Sequence, residues 1–136
     1  MNKKTKRVAL FSALSDKVAN GNLVVVDALT LEAPSTKTMA GMFKTFGFEK
    51  TYTKNYKTIT IEDGKTVYGT ATREAVKAQS ALVVLDSMNT AVIKSCANIP
   101  QVKTTQYSTL NVYDIMNAEK LVMTVDAVKK LEEVYA

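Results

Sequence analysis

The chain has 136 residues, of which 46% are hydrophobic and 23% charged, and its formal net charge is +5. This composition is typical of one compact globular domain and excludes a disordered or collagen-like chain. The lack of histidine and the single cysteine, Cys96, exclude His-based acid–base catalysis, a Ser-His-Asp triad, an internal disulfide and a cysteine-rich zinc site.

The first predicted elements are a helix and a buried strand. Apolar residues recur at three- and four-residue steps, which predicts a helix over residues 4–19. Its predicted apolar face consists of Val8, Phe11, Leu14 and Val18. Asn20-Gly21 then provides a left-handed stop. The apolar run that ends in Asp27 predicts a strand over 23–27, buried on both faces as in a parallel sheet.

Pro34 interrupts the chain before a second predicted helix. Ser35 or Thr36 can cap this helix over residues 37–46, and Gly47 ends it. Its apolar stripe consists of Met39, Met42, Phe43 and Phe46.

A β-hairpin is predicted around Asp63-Gly64. Asp-Gly is the preferred two-residue hairpin turn, because both positions need a positive φ. The implied register pairs Glu62 with Lys65 and Ile61 with Thr66. It places Ile59, Ile61 and Tyr68 on one face. A short helix is predicted to follow over residues 72–79. No aromatic cluster resembles a platform for stacking single-stranded bases.

The second half of the chain alternates strands and helices. Strands are predicted over 81–86, 102–107 and 120–124, and helices over 90–97, 109–117 and 125–135. This alternation implies right-handed crossovers and a parallel sheet that is covered on both sides. The predicted fold class is therefore α/β, with a mainly parallel sheet of about four strands plus an inserted β-hairpin.

The positive charge is concentrated in the first half. Residues 1–65 hold eleven Lys and Arg against six Asp and Glu, whereas residues 66–136 hold seven of each. The densest cluster is Lys3, Lys4, Lys6 and Arg7. Clustered cations attract phosphate backbones through Coulomb attraction and counterion release. Charge alone leaves two interpretations open, a nucleic-acid-binding surface or a solvated basic helix start.

Two aspartates each end a predicted buried strand. Asp27 and Asp86 would lie at the carboxyl edge of the sheet, where ligands usually bind. Such a pair could hold Mg²⁺ or accept a phosphoryl group, as in response-regulator receiver domains, or each could simply cap a turn. The glycines match no phosphate-binding fingerprint, and Cys96 has no histidine to activate it. We therefore predict no catalytic residue, no metal and no cofactor.

Neither a membrane helix nor a secretory signal is predicted. No run approaches the ~20 apolar residues that a membrane helix needs. No apolar region with a cleavage site follows the basic start. We expect a cytoplasmic protein.

Eight segments of the chain carry one family pattern: residues 7–17, 23–27, 32–37, 81–86, 98–100, 109–115, 120–124 and 127–133. The C-terminal third is the most specific part, with Asn98-Ile99-Pro100 and Asn111-Val112-Tyr113-Asp114. In this order the segments resemble the bacterial form of the universal large-subunit ribosomal protein L-four. The similarity covers residues 1–50 and 81–136.

The resemblance implies a single three-layer α/β/α domain over residues 1–136 and a structural, non-catalytic role in the large ribosomal subunit. It implies large-subunit rRNA and neighbouring ribosomal proteins as partners, with the protein's own mRNA leader as a further candidate. It also implies which residues face RNA: Lys3, Lys4, Lys6, Arg7, Ser35, Thr36, Lys37 and Asn98.

The chain also departs from the family pattern. It is expected to begin after the family's longer N-terminal part with its extended arm. Pro34-Ser35-Thr36-Lys37 stands where the family has Pro-Lys-Thr-Lys, and Cys96-Ala97-Asn98 stands where it has Ala-Arg-Asn. Residues 51–80, with the hairpin and the short helix, match nothing in the family and are interpreted as an insertion within the domain.

Two other functions remain open. One is a diverged, non-ribosomal protein-interaction module that uses the hairpin at residues 52–69. The other is a receiver-like phosphoacceptor at Asp86.

Overall fold

The computed structural model describes residues 2–135 as two compact units, one formed by the residues up to 48 together with those from 79 onward, the other by residues 49–78. In chain order the elements are α1 (Lys3–Ala19), β1 (Leu23–Val26), α2 (Thr36–Thr45), β2 (Glu49–Glu62), β3 (Lys65–Ala78), β4 (Ala81–Leu85), α3 (Thr90–Ala97), β5 (Val102–Gln106), α4 (Val112–Asn117), β6 (Lys120–Thr124) and α5 (Val125–Tyr135), with a 3-10 turn at Tyr107–Thr109. Among residues 2–135, no helix combines the length and apolar composition needed to cross a bilayer.

The first unit contains a four-stranded parallel sheet. Its strand order is β1-β6-β4-β5, so the last strand in the chain lies between two earlier ones. Leu121 in β6 pairs with Leu23 on one side and with Leu82 on the other. All five residues of β4 are buried, as expected of an apolar run in a parallel sheet covered on both faces. The predicted α/β class and parallel sheet are confirmed.

Helices cover both faces of this sheet. Successive side chains of a strand point to opposite faces, and β4 shows this directly. Leu82 and Val84 pack in a core with residues of α1, α4 and α5. Val83 and Leu85 pack in a second core with residues of α2 and α3. The arrangement of three layers, α/β/α, is thereby confirmed.

The buried face of α1 differs from the predicted one. The side chains of Val8, Phe11 and Val18 are exposed by 65%, 41% and 59%. The buried residues are Leu10, Ala13 and Lys17. The prediction was wrong for these three exposed residues, because the buried stripe contains a small residue and a lysine. The fourth predicted residue, Leu14, is partly buried and packs against the core, as predicted. Lys17 lays its alkyl stem against the core while its Nζ donates a hydrogen bond to the Ala118 carbonyl at 2.6 Å.

The second unit is the β2–β3 hairpin. The two strands pair along their whole length, from Glu49 opposite Ala78 to Glu62 opposite Lys65. Asp63 and Gly64 have φ values of 49° and 72°, which confirms the predicted turn and its register. The helix predicted over residues 72–79 is wrong. This segment continues β3 to Ala78, because cross-strand pairing with β2 overrides its local helical preference.

Cys96 is buried on α3, with 1% of its surface exposed, and this desolvation raises the pKa of its thiol to about 11. We expect iodoacetamide at about pH 8 to modify Cys96 at least about tenfold more slowly in the folded chain than in urea, as measured by mass spectrometry. The unfolded thiol ionises near pH 9.0, so this group lowers the folded state's stability only as pH rises from there towards 11. Equal labelling rates in both states would contradict this burial.

Candidate nucleic-acid interface

Four cations lie together at the start of α1. Lys3, Lys4, Lys6 and Arg7 are all exposed. The first turn contains no acidic residue, and the side chain of the N-cap residue Asn2 makes no capping hydrogen bond. The unsatisfied N–H groups and the positive end of the helix dipole therefore add to the side-chain charges. This cluster, which we call the α1 cluster, concentrates positive charge where an isolated helix would disfavour it.

Part of the α1 cluster lines a groove of about 380 Å³. Its lining includes Lys3, Lys6 and Arg7 from α1, Asn111 before α4, and Tyr135 at the end of α5. The Arg7 guanidinium lies 5.9 Å from the centroid of the Tyr135 ring, which steadies one wall of the groove. The groove thus combines cations, an amide side chain and an aromatic ring, all of which suit contacts with phosphates and nucleotides.

The second predicted group lies where α2 meets α3. The Ser35 side chain caps α2 by accepting a hydrogen bond from the Thr38 N–H at 3.4 Å. The Ser35 N–H donates to the Ser95 Oγ of α3 at 2.8 Å. Ser35 therefore holds the two helices together, and its side chain is already engaged. Thr36 and Lys37, which follow it, are exposed.

Asn98 completes this second group. It is exposed and occupies the C-cap position of α3, three residues after Ser95. We call Thr36, Lys37 and Asn98, with Ser35 as their anchor, the α2–α3 site. The structure places it in the layer of α2 and α3, whereas α1 lies in the layer on the opposite face of the sheet. The predicted residues therefore form two separate surfaces.

Asp27 and Asp86 meet at the carboxyl edge of the sheet, as predicted. Both line a cavity of about 240 Å³ that Asp126 also borders. Asp86 is bound by Lys130, whose Nζ lies 3.3 Å from Oδ2 and 3.2 Å from the Asp86 carbonyl. Burial alone raises the pKa of Asp86, but the hydrogen bond and charge of Lys130, with a hydrogen bond from Ser87, outweigh it and lower the pKa. No three Asp, Glu or Cys residues in the described part of the chain are placed to hold a metal ion.

Sequence reasoning missed that several cations hold the fold together. Lys17 is buried, as described above. Lys103 donates to the Asp114 carboxylate at 2.6 Å, and Lys120 donates to the Asn22 side chain at 2.8 Å. The contact between Asn111 and Asp114 had a signal in the sequence, because Asn111 is a typical N-cap residue three positions before Asp114. The Asn111 Oδ1 accepts a hydrogen bond from the Asp114 N–H at 2.7 Å. Net charge therefore overstates the cations that are not already engaged within the fold.

Comparisons with known proteins agree on one family. Residues 1–134 match the model of the ribosomal protein L4/L1 family. The chain is 40% identical over all 136 residues to "Large ribosomal subunit protein uL4" of Heliobacterium modesticaldum, covering 52% of that protein. It is 38% identical over 134 residues, 98% of the chain, to the protein of that name from Ruminiclostridium cellulolyticum, covering 51% of it. The chain spans about half the length of the curated relatives it matches.

Proposed function

Because the chain belongs to the ribosomal protein L4/L1 family, we propose that it is a structural, non-catalytic protein of the large ribosomal subunit that binds rRNA. Its relatives are named as large-subunit proteins, and this supports the proposal. In this role the α/β core performs no reaction. It fixes the spacing of cations and amides that neutralise and position phosphates.

The α1 cluster is the observation that carries the proposal. Its four exposed cations lie at the positive end of a helix, and three of them, Lys3, Lys6 and Arg7, border a groove large enough to accept part of a nucleotide. Each cation that neutralises a phosphate releases condensed counterions, which favours binding without any sequence readout. Lys3, Lys4, Lys6 and Arg7 are accordingly assigned to rRNA contact.

The α2–α3 site is assigned to a second rRNA contact. Thr36 and Asn98 offer hydrogen bonds and Lys37 offers charge, while Ser35 positions them through its bonds to α2 and α3. Because this site and the α1 cluster lie on opposite faces of the sheet, the protein would bridge two RNA segments rather than grip one. Further proposed partners are neighbouring ribosomal proteins and the protein's own mRNA leader. The proposed location is the cytoplasm.

Salt titration of binding to large-subunit rRNA tests this function. Four to six phosphate contacts predict that log K falls with log salt with a slope of about −3 to −5. The measurement is filter binding of the full chain to structured rRNA fragments at several salt concentrations. Affinity that is absent, or that salt does not change, would contradict the proposed function.

A further inference from the structure

The β2–β3 hairpin separates its charges by face. Side chains alternate between the two faces of each strand, and the register shows which residues of β2 and β3 share a face. One face, which we call the basic face, carries five cations and one acid, whereas the opposite face carries Lys57 against two glutamates, Glu49 and Glu74. The charged residues of the basic face are Lys50, Lys54, Glu62, Lys65, Arg73 and Lys77.

The basic face places like charges directly opposite each other. Lys54 pairs across the strands with Arg73, and Lys50 pairs with Lys77. Like charges directly opposite each other destabilise an antiparallel pair. A hairpin selected only for its own stability would place an acid opposite a lysine, as it does at Glu62 and Lys65 next to the turn. The Lys54–Arg73 pair therefore points to an anionic ligand that relieves the repulsion.

Two tyrosines alternate with these cations. Tyr52 and Tyr56 lie on the basic face and are 46% and 37% exposed. Small residues stand opposite them, Ala75 across from Tyr52 and Ala71 across from Tyr56, so no bulky cross-strand partner competes for the rings. The Lys54 Nζ lies 5.6 Å from the centroid of the Tyr56 ring. The register therefore places two exposed rings on the basic face, between its cations.

We propose that the basic face of the β2–β3 hairpin binds a single strand of RNA. Exposed aromatic rings spaced along a positive groove or face are the means by which proteins hold single-stranded nucleic acid, because bases stack on the rings while cations follow the backbone. Same-face residues of a strand are about 6.8 Å apart, so Lys50 to Tyr56 form a track about 20 Å long. An extended strand can follow this track.

The inference goes beyond the proposed function. It concerns residues 49–78, which form a unit of their own, and it uses neither the α1 cluster nor the α2–α3 site. It also predicts a different ligand, an unpaired strand rather than structured rRNA. The two proposals can therefore fail independently.

Fluorescence anisotropy of the full chain with labelled oligouridylate of about 12 nucleotides tests the proposal. The double variant Tyr52→Ala, Tyr56→Ala is expected to weaken binding by at least about fivefold, the lower limit for one stacked base. The double variant Lys54→Ala, Arg73→Ala is expected to make the salt slope shallower by about 1.4. If the folded, unchanged chain does not bind oligouridylate, the proposal is overturned. That result would not affect the rRNA-binding function, which the salt titration tests separately.

The opposite face of the same hairpin offers matched controls. Tyr68→Ala removes an aromatic ring and Lys57→Ala removes a cation, both from exposed positions on that face. We expect both control variants to keep oligouridylate affinity close to that of the unchanged chain. Losses equal to those of the basic-face variants would show general charge or folding effects and overturn the assignment to one face. A base-free polyanion, heparin, should bind the Tyr52→Ala, Tyr56→Ala variant as well as the unchanged chain.

Arg73→Glu separates a binding role from a structural one. The substitution places an acid opposite Lys54, so amide hydrogen exchange across residues 49–78 should slow while oligouridylate affinity falls. Faster exchange would show that Arg73 stabilises the hairpin, which would overturn the argument from charge repulsion. Replacing Lys3, Lys4, Lys6 and Arg7 with alanine should leave oligouridylate binding through the hairpin in place.

Discussion

Replacing Lys3, Lys4, Lys6 and Arg7 together with alanine is expected to lower affinity for large-subunit rRNA by roughly 100- to 1,000-fold near physiological salt. Each lost phosphate contact also removes about 0.9 from the magnitude of the salt slope. The fold should survive, because all four side chains are exposed and alanine favours helix. The contact between Arg7 and the Tyr135 ring is lost, and the cations no longer oppose the helix dipole. Filter binding and urea unfolding measure the two effects.

A pair of single substitutions provides the control for charge. Lys6→Ala and Lys129→Ala each remove one exposed helical lysine, from α1 and α5 respectively. The first is expected to make the salt slope shallower by about 0.9, and the second to leave it unchanged. Lys130 does not serve as a control, because it binds Asp86 and lies 5.8 Å from the Tyr107 ring centroid. Equal losses from Lys6→Ala and Lys129→Ala would show that binding follows net charge and not the α1 cluster.

Leu10→Ala is expected to have the largest effect on stability among single substitutions in α1. Leu10 is 4% exposed and packs in the core that includes Leu121, Met123 and Leu131. Truncation leaves a cavity in this core and should lower the free energy of unfolding by about 2–4 kcal/mol. Urea denaturation should show a lower midpoint with an unchanged slope.

Val8→Ala is the matched substitution on the other side of the same helix. Val8 is exposed, so its truncation should change the free energy of unfolding by less than about 0.5 kcal/mol. The order of these two effects tests the observed face of α1 against the face that the sequence predicted. A larger loss from Val8→Ala than from Leu10→Ala would contradict the observed packing.

Elements with strong local signals could be predicted from the sequence. The apolar runs of β1, β4 and β6 identify strands, and Asp63-Gly64 identifies both the turn and its register. The prediction that β1 is buried on both faces was wrong, because β1 lies at the edge of the sheet and Val25 is 49% exposed. The strand order could not be predicted from the sequence, because the position of β6 between β1 and β4 depends on how the helices pack. The buried face of α1 was missed because Ala13 and Lys17, not large apolar residues, form its middle and end.

The candidate site could be predicted only in part. A dense run of lysine and arginine at a helix start is exposed almost by necessity, so the α1 cluster could be located from charge alone. Ser35 follows Pro34, and this position indicated that its side chain could cap α2. Its hydrogen bond to Ser95 could not be predicted, because the two residues are 60 apart in the chain. The predicted helix over residues 72–79 concealed Arg73 and Lys77 as members of the basic face, because a helix has no cross-strand register that would set them opposite residues of β2.

The central claim is that the protein is a non-catalytic scaffold that holds rRNA on two opposite surfaces. Ultraviolet crosslinking of the full chain reconstituted with large ribosomal subunits tests this claim most directly. The account predicts co-sedimentation with the subunit and crosslinked peptides that contain residues 3–7 and residues 36–37, to two RNA segments. Failure to co-sediment, or crosslinks that leave both peptides unmodified, would contradict it.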